Sequence, residues 1–269
     1  MEHTFETPGL VRLRVTIGAG RVQVETAETE HTEVELVAMN RAAEEAIGLM
    51  TVRADQRGDR WEVVVEEQKR GGFLSGLFNN AEIGVRVRCP RLTEVETTTG
   101  SADVEVHGVA GAIQAKTGSG DLSADDVAGE LVSSSASGDV TAGDVGGDCT
   151  VKTASGDARI AIVGGAFVGN LVSGDLELRE ARGPVTVSTV SGDTHVGSIS
   201  AADVRITAVS GDVRIGVRPG LRLWIDATSV SGDMSSELEA TDGPPVGEGP
   251  LVQLRAKTVS GDVEIVRAA

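Results

Sequence analysis

The chain of 269 residues contains no tyrosine, four phenylalanines and two tryptophans, which excludes a core built on aromatic packing. Its two cysteines, Cys89 and Cys149, are far apart in sequence and match no metal or redox spacing, so a disulfide framework is excluded too. Basic residues are scarce: 24 Lys and Arg face 41 Asp and Glu, a net charge of −17. Nucleic acid is therefore not expected as a partner, because binding it needs a basic patch against the phosphates. Adsorption to anionic lipid is opposed by the same charge. No apolar run approaches the ~18 residues of a spanning helix, so membrane association is not expected. Met1-Glu2-His3-Thr4-Phe5-Glu6 has neither the basic start nor the apolar core of a signal peptide, which leads to the expectation of a cytoplasmic protein.

What the chain does have is glycine, 35 residues of it, and a repeated tripeptide. Ser-Gly-Asp, with Ser-Ala-Asp as its first form, begins at Ser101, Ser119, Ser137, Ser155, Ser173, Ser191, Ser210, Ser231 and Ser260. The steps are 18, 18, 18, 18, 18, 19, 21 and 29 residues. A near-constant period of this length marks a solenoid, whose repeats bury their apolar faces by stacking on each other. Counting each repeat from its Ser, position 4 is mainly apolar (Val104, Leu122, Val140, Leu176, Val213, Met234, Val263), with Thr194 an exception. Position 6 is apolar again (Val106, Ala124, Ala142, Ile160, Leu178, Val196, Ile215, Ile265). The alternation is that of a strand with one face inside. Position 11 is Gly in five copies, and a second alternating run follows, as in Val185-Thr186-Val187-Ser188-Thr189. Each coil thus carries two strands and two corners. The expected fold is all-β: a single-stranded parallel β-helix of about 18 residues per coil, right-handed by the general crossover preference, with an N-terminal β-rich part carrying one short helix.

The N-terminal region, residues 1–96, alternates at Leu10–Ile17, Arg21–Glu25, Glu33–Val37, Met50–Ala54, Trp61–Glu66 and Ile83–Cys89. Asn40 is placed to cap a helix over Arg41–Leu49. Gly18-Ala19-Gly20 occupies a place like that of Ser-Gly-Asp, which suggests a degenerate first coil. The solenoid proper is expected over 97–269. Phe73, Leu74, Leu77 and Phe78 stand beside Lys69 and Arg70 and read either as a partner-docking loop or as a cover for an exposed solenoid end. The Pro- and Gly-rich stretch Thr241–Pro250 reads as a surface loop at the other end. An end left open invites edge pairing, hence homo-oligomers.

The structural corner is assigned to Gly120, Gly138, Gly156, Gly174, Gly192 and Gly211 with Asp121, Asp139, Asp157, Asp175, Asp193 and Asp212. Glycine there can take φ > 0, and Asp and Ser oxygens can accept backbone N–H bonds in Asx or Ser turns. Stacked carboxylates about 5 Å apart also raise the question of Ca²⁺. The Gly-Gly-x-Gly-x-Asp nonapeptide of Ca²⁺-binding β-rolls is absent. The turn reading explains the whole triplet without a ligand, so no metal or cofactor is expected. His3, His31, His107 and His195 are scattered, and no nucleophile, base and orienting acid recur together. An enzyme is not expected.

The serial Ser-Gly-Asp coils at 119–262, with the preceding β-rich part ending in Val87-Arg88-Cys89-Pro90, resemble the bacterial "putative adhesin" family of β-strand-repeat domains of unknown function. The resemblance covers nearly the whole chain. It implies the β-solenoid fold, and some members of that family are linked to envelope-stress responses. The expectation is a non-enzymatic scaffold or protein-interaction module whose protein partner is unknown. The alternatives are a self-assembling scaffold resembling bactofilins, and an adhesin or glycan-binding protein.

Overall fold

The computed structural model describes residues 1–67, 81–200, 203–238 and 251–268. Phe73, Leu74, Leu77, Phe78 and the stretch Thr241–Pro250 lie outside the described residues. The chain divides into two compact units, Met1–Asp139 and Val140–Ala269.

The first unit holds β1 (Glu2–Glu6), β2 (Leu10–Ile17), β3 (Ala19–Ala27), β4 (His31–Ala38), α1 (Arg41–Ile47), β5 (Met50–Arg57), β6 (Arg60–Glu67) and β7 (Glu82–Pro90). It continues with β8 (Glu94–Thr99), β9 (Asp103–Ala110), β10 (Ala112–Thr117), β11 (Leu122–Val127) and β12 (Leu131–Ser135). Its strands fall into two sheets, ordered β1-β4-β7-β3-β9-β11 and β5-β6-β2-β8-β10-β12. Most neighbours are parallel and in coil register, as in Ile113↔Leu131 and Val22↔Val104. The N-terminal strands are therefore coils themselves: β2 pairs with β8, and β3 with β9. Gly18 serves as their corner, its carbonyl accepting from the Ser101 N–H at 2.8 Å.

Chain order and stacking order differ here. The β2/β3 coil sits between the β8/β9 coil and the later β6/β7 coil. Beyond that, β1, β4 and β5 add antiparallel strands that end the stack. The helix links the two sheets, capped by Asn40, whose Oδ1 accepts from the Ala43 N–H at 2.9 Å, and it buries Ala43 and Ala46. So short a helix is held by packing rather than by propensity.

The second unit holds β13 (Val140–Val145), β14 (Cys149–Thr153), β15 (Ala158–Val163), β16 (Phe167–Ser173), β17 (Leu176–Ala181), β18 (Val185–Ser191) and β19 (Thr194–Ile199). It closes with β20 (Val204–Ser210), β21 (Val213–Val217), β22 (Arg222–Ser231), β23 (Met234–Ser236), β24 (Leu251–Ser260) and β25 (Val263–Arg267). The orders are β13-β15-β17-β19-β21-β25-β23 and β14-β16-β18-β20-β24-β22. The last two coils are swapped: β24/β25 lies between β20/β21 and β22/β23. An inner coil is covered on both sides, so the coil with more apolar inward positions gains more there. That coil is β24/β25, with Val252, Leu254, Ala256, Val263 and Ile265 all buried, against the shorter Met-Ser-Ser of β23.

In both units alternate residues point between the sheets and are buried, including Leu13, Ile113, Leu131, Phe167, Leu178, Ile206 and Leu254. The core is thin and aliphatic, as the lack of aromatics requires. Cys89 and Cys149 are free and buried within it. Burial pushes the Cys89 thiol up to about 11, against a hydrogen bond with Thr93 that lowers it, and the Cys149 thiol up to about 12. From an ordinary 9.0, an unfolded chain releases these protons at a pH where the folded chain still binds them. Stability from the neutral thiols is thus intact below pH 9 and falls as pH rises towards 11 and 12, by up to ~1.4 kcal/mol per pH unit for each thiol. Urea melts at pH 8 and pH 10.5 should show a smaller alkaline loss in Cys149→Ala than in the wild type. An equal loss in both would contradict burial of this thiol.

Candidate interaction surface

The aspartate column is where the sequence points first, and the structure gives every member work to do. Each Asp stands at or just before the start of a strand, and the backbone N–H groups of Asp121, Asp139, Asp175, Asp193, Asp212, Asp233 and Asp262 donate to the carboxylate of the Asp in the neighbouring coil. In the first unit Asp121 donates to Asp103 Oδ1 (3.2 Å) and Asp139 to Asp121 Oδ1 (2.9 Å). In the second, Asp175 donates to Asp157 (2.9 Å), and Asp193, Asp212, Asp262 and Asp233 donate to Asp175, Asp193, Asp212 and Asp262, each at 2.8 Å. A return bond closes a ring: the Leu176 N–H donates to the Asp193 carbonyl at 2.9 Å, and the Thr194 N–H to the Asp212 carbonyl at 2.8 Å. The carboxylates therefore bond across coils, not within an Asx turn of their own corner.

The triplet serine also acts differently from the expected Ser turn. Its backbone joins the stack, as when the Ser119 and Ser137 N–H groups donate to the Gly100 and Gly118 carbonyls at 3.0 Å. The hydroxyl that fixes the corner comes from two residues earlier. Thr117 Oγ1, Ser135 Oγ and Thr153 Oγ1 accept from the N–H groups of Gly120, Gly138 and Gly156, at 2.9, 2.6 and 2.8 Å. A hydroxyl column two places before the Ser, at Thr99, Thr117, Ser135, Thr153, Thr189, Ser229 and Thr258 and broken by Leu171 and Ala208, was the available signal.

The corner glycines fall into two groups. Gly174, Gly192, Gly211, Gly232 and Gly261 have positive φ, +128° at Gly192. Gly120, Gly138 and Gly156 are not among the positive-φ residues. At Gly120 and Gly138 glycine is required by close approach instead, because a Cβ would meet the carbonyl of Ala102 or Gly120 in the preceding coil.

Among the described residues no group of three or more His, Cys, Asp or Glu is arranged to hold a metal ion. His107 is exposed, with Nδ1 3.5 Å from Asp125 and Nε2 3.9 Å from Glu105. Both thiols are buried and held protonated, so neither is poised as a nucleophile. A shallow groove crosses β3, β7 and β4, but Arg86 there bonds Glu35 at 3.2 Å and Arg88 lies 4.0 Å from Glu25.

Several of the basic residues on the outer faces are matched to carboxylates. In the first unit Glu94 receives Arg12 and Arg60 at 2.7 and 3.0 Å, and Arg14 reaches Glu96 at 3.0 Å and Glu62 at 3.3 Å. In the second, Glu180 receives Arg182 at 2.8 Å and Arg218 at 3.0 Å. The hydrogen bond from Arg182, then the charges of Arg218 and Arg182, hold the Glu180 carboxyl below the usual carboxylate range against its partial desolvation.

One column breaks this pattern. The residue before each Ser is Gly100, Gly118, Ala136 and Ala154 in the earlier coils, then Val172, Val190, Val209, Val230 and Val259. All five valines belong to the second unit and are at least about half exposed, Val230 at 77%. Flanking pairs such as Leu171↔Thr189 and Ser173↔Ser191 set Val172 beside Val190, and the same register carries on through Val209, Val259 and Val230. At ~4.8 Å per strand the ladder is roughly 20 Å long. These five make up a large share of the exposed bulky apolar side chains among the described residues, which include Trp224, Ile225 and Met234 in the outermost coil. Reading the columns from Ser onward misses the ladder, since it stands just before the motif.

A family model described as Toastrack DUF4097 matches residues 11–266 of the chain. The chain belongs to this family. No curated protein matches. Among solved structures, this Toastrack chain is similar to a putative adhesin from Parabacteroides distasonis, with 12% identity, TM-score 0.51, and coverage of 98% of this chain and 96% of that one. Others include a structure described as a putative lipid binding protein from the same species (12% identity, TM-score 0.47, coverage 97% and 96%) and a putative adhesin from Bacteroides fragilis (12%, 0.44, 98% and 96%). At such identities the likeness shows the fold alone. In this chain the two-stranded coils are tied to their neighbours at the Asp corner, and its stability should depend on that corner. Gly192→Val places a branched residue at φ +128° and its Cβ against the Gly174 carbonyl. It should cost about 1–3 kcal/mol in urea melts or more. An unchanged midpoint would remove the corner from the account.

Proposed function

We propose that the protein is a non-enzymatic β-solenoid interaction module, and that its partner docks along the valine ladder of the second unit. The single observation that carries this reading is the ladder itself. Outward positions of a soluble sheet are normally polar, and contiguous exposed apolar surface is associated with interaction sites. Here five β-branched residues repeat in register and stand half in water, where polar residues would serve stability equally well. Neighbouring outward residues on the same sheet are polar: Asn170, Ser188, Thr207 and Thr228 are small, and Lys257 between the last two is charged. This gives an apolar strip with a polar rim, the composition of a modest interface.

The non-enzymatic part of the reading draws support from chemistry already committed elsewhere. Aspartates of the column accept backbone N–H bonds, and the cysteines are buried. A rigid stack suits presentation: Val172, Val190, Val209 and Val259 lie in strands paired on both flanks, and Val230 lies in the end strand β22, so little ordering entropy remains to be lost when a partner arrives.

The test is capture of partners from the native cell with tagged wild type and with Val190→Ser/Val209→Ser. Surface changes of this kind should shift stability by no more than about 0.5 kcal/mol per site. Loss of a wild-type partner with an unchanged melt is the expected result. Full retention of every partner by the double variant would overturn the docking role.

A further inference from the structure

The sheet that carries the valine ladder is basic on its outer face. In the strands of the second unit its outward positions include Lys152, Arg205, Arg255 and Lys257 and, among the described residues, one carboxylate, Asp226. The chain as a whole has a net charge of −17, so this face runs against its composition. Arg255 is engaged, lying 5.3 Å over the Trp224 ring and donating to Gln253 at 3.2 Å. Lys152, Arg205 and Lys257 are exposed, and no carboxylate among the described residues pairs with them. Ion pairs of this unit lie instead at Asp157, Glu180 and Glu264, on or beside the opposite sheet.

These cations border the ladder on one side only. Lys257 stands two residues before Val259 and Arg205 four before Val209, on the same face of their strands. On the other side, three residues past the valines, come the exposed aspartates Asp175, Asp193, Asp212 and Asp262. Four of the valines sit in strands already paired on both flanks, so a partner cannot join the sheet there as a further strand. An extended segment laid across the face would leave its own N–H and C=O groups unpaired against apolar side chains. Its alternate side chains also recur at ~6.6 Å, out of step with valines ~4.8 Å apart. A helix satisfies its backbone internally, and its apolar stripe advances ~5.4 Å per turn, nearer to the ladder spacing. About 14 residues of helix span the ladder. We infer that the ladder receives an amphipathic helix of a partner protein, with carboxylates along the flank that meets Arg205 and Lys257. The inference rests on the docking role proposed for the ladder. Like charge keeps the acidic flank off the aspartate column, which sets the direction of the helix along the ladder.

A displayed library of random peptides of about 18 residues, selected on the full chain and counter-selected on Val190→Ser/Val209→Ser, tests it. The recovered sequences should carry apolar residues at i, i+3, i+4 and i+7, with Asp or Glu along one flank. Because the protein is nearly all-β, helix gained by a synthetic selected peptide is read from far-UV circular dichroism of the mixture. Affinity should fall roughly tenfold or more for Arg205→Glu/Lys257→Glu, whose thermal melt reports its folding, and should weaken with added salt. Changing the peptide's acidic flank to Lys should recover binding to that variant to within about threefold. Ladder-dependent peptides that gain no helix, or that bind the charge variant as well as wild type, overturn the helix and leave the ladder standing. Vesicles of phosphatidylglycerol are the second probe: cosedimentation with wild type that both variants lose makes anionic lipid the occupant and overturns the helix. No ladder-dependent binding to either probe overturns the ladder as well.

Discussion

The structure depends on the bond that each corner aspartate makes with the next coil. A two-stranded coil cannot bury its own apolar face, so everything rests on holding neighbours in register. Strand ladders do this along straight runs, but at a corner the ladder would otherwise end with free N–H groups. The Asp193 N–H on the Asp175 carboxylate and the Leu176 N–H on the Asp193 carbonyl close the corner into a ring between coils. One residue type thus satisfies its own backbone and its neighbour's, which is why the column is occupied by Asp in every coil from Asp103 to Asp262, while the β2/β3 coil turns at Gly18 without one. The carboxylates of Asp103, Asp121, Asp157, Asp175, Asp193, Asp212 and Asp262 each accept a backbone N–H from the neighbouring coil, which offsets part of their repulsion at this spacing.

The inward set then becomes simple. With register fixed, positions 4 and 6 of successive coils stack as ladders of Val, Leu and Ile, and small aliphatic residues fill the narrow space between sheets. Aromatics are scarce because this space does not admit many of them; Phe167 is the largest fully buried side chain among the described residues. Glycine recurs for two separate reasons, positive φ at Gly192 and a neighbouring carbonyl at Gly120. The outer faces, released from any part in packing, are where the chain varies. The first unit presents matched Arg and Glu, whereas the second presents valines and the exposed Trp224.

Much of this was legible before the structure. The 18-residue step and the alternation at positions 4 and 6 led directly to parallel coils, and strands such as Leu10–Ile17 and the Asn40 cap fall where their pattern puts them. Three features were not legible, each for a physical reason. The aspartate bond spans 18 residues, so a turn-centred reading of the motif could not find its acceptor. The swapped order of β22 and β24 leaves no trace in a period, since both coils have the same phase; only the more apolar inward set of β24 and β25 hints at it. The valine ladder lies outside the alternation, in a column whose meaning comes from exposure.

Amide hydrogen exchange resolved to single residues tests the central claim most directly. The account predicts that the N–H groups of Asp175, Asp193 and Asp212, though set at solvent-facing corners, exchange as slowly as those of the flanking strands, and open only with the stack. Exchange of these amides at the rate of exposed loops, with the strands still protected, would contradict the corner as the tie between coils.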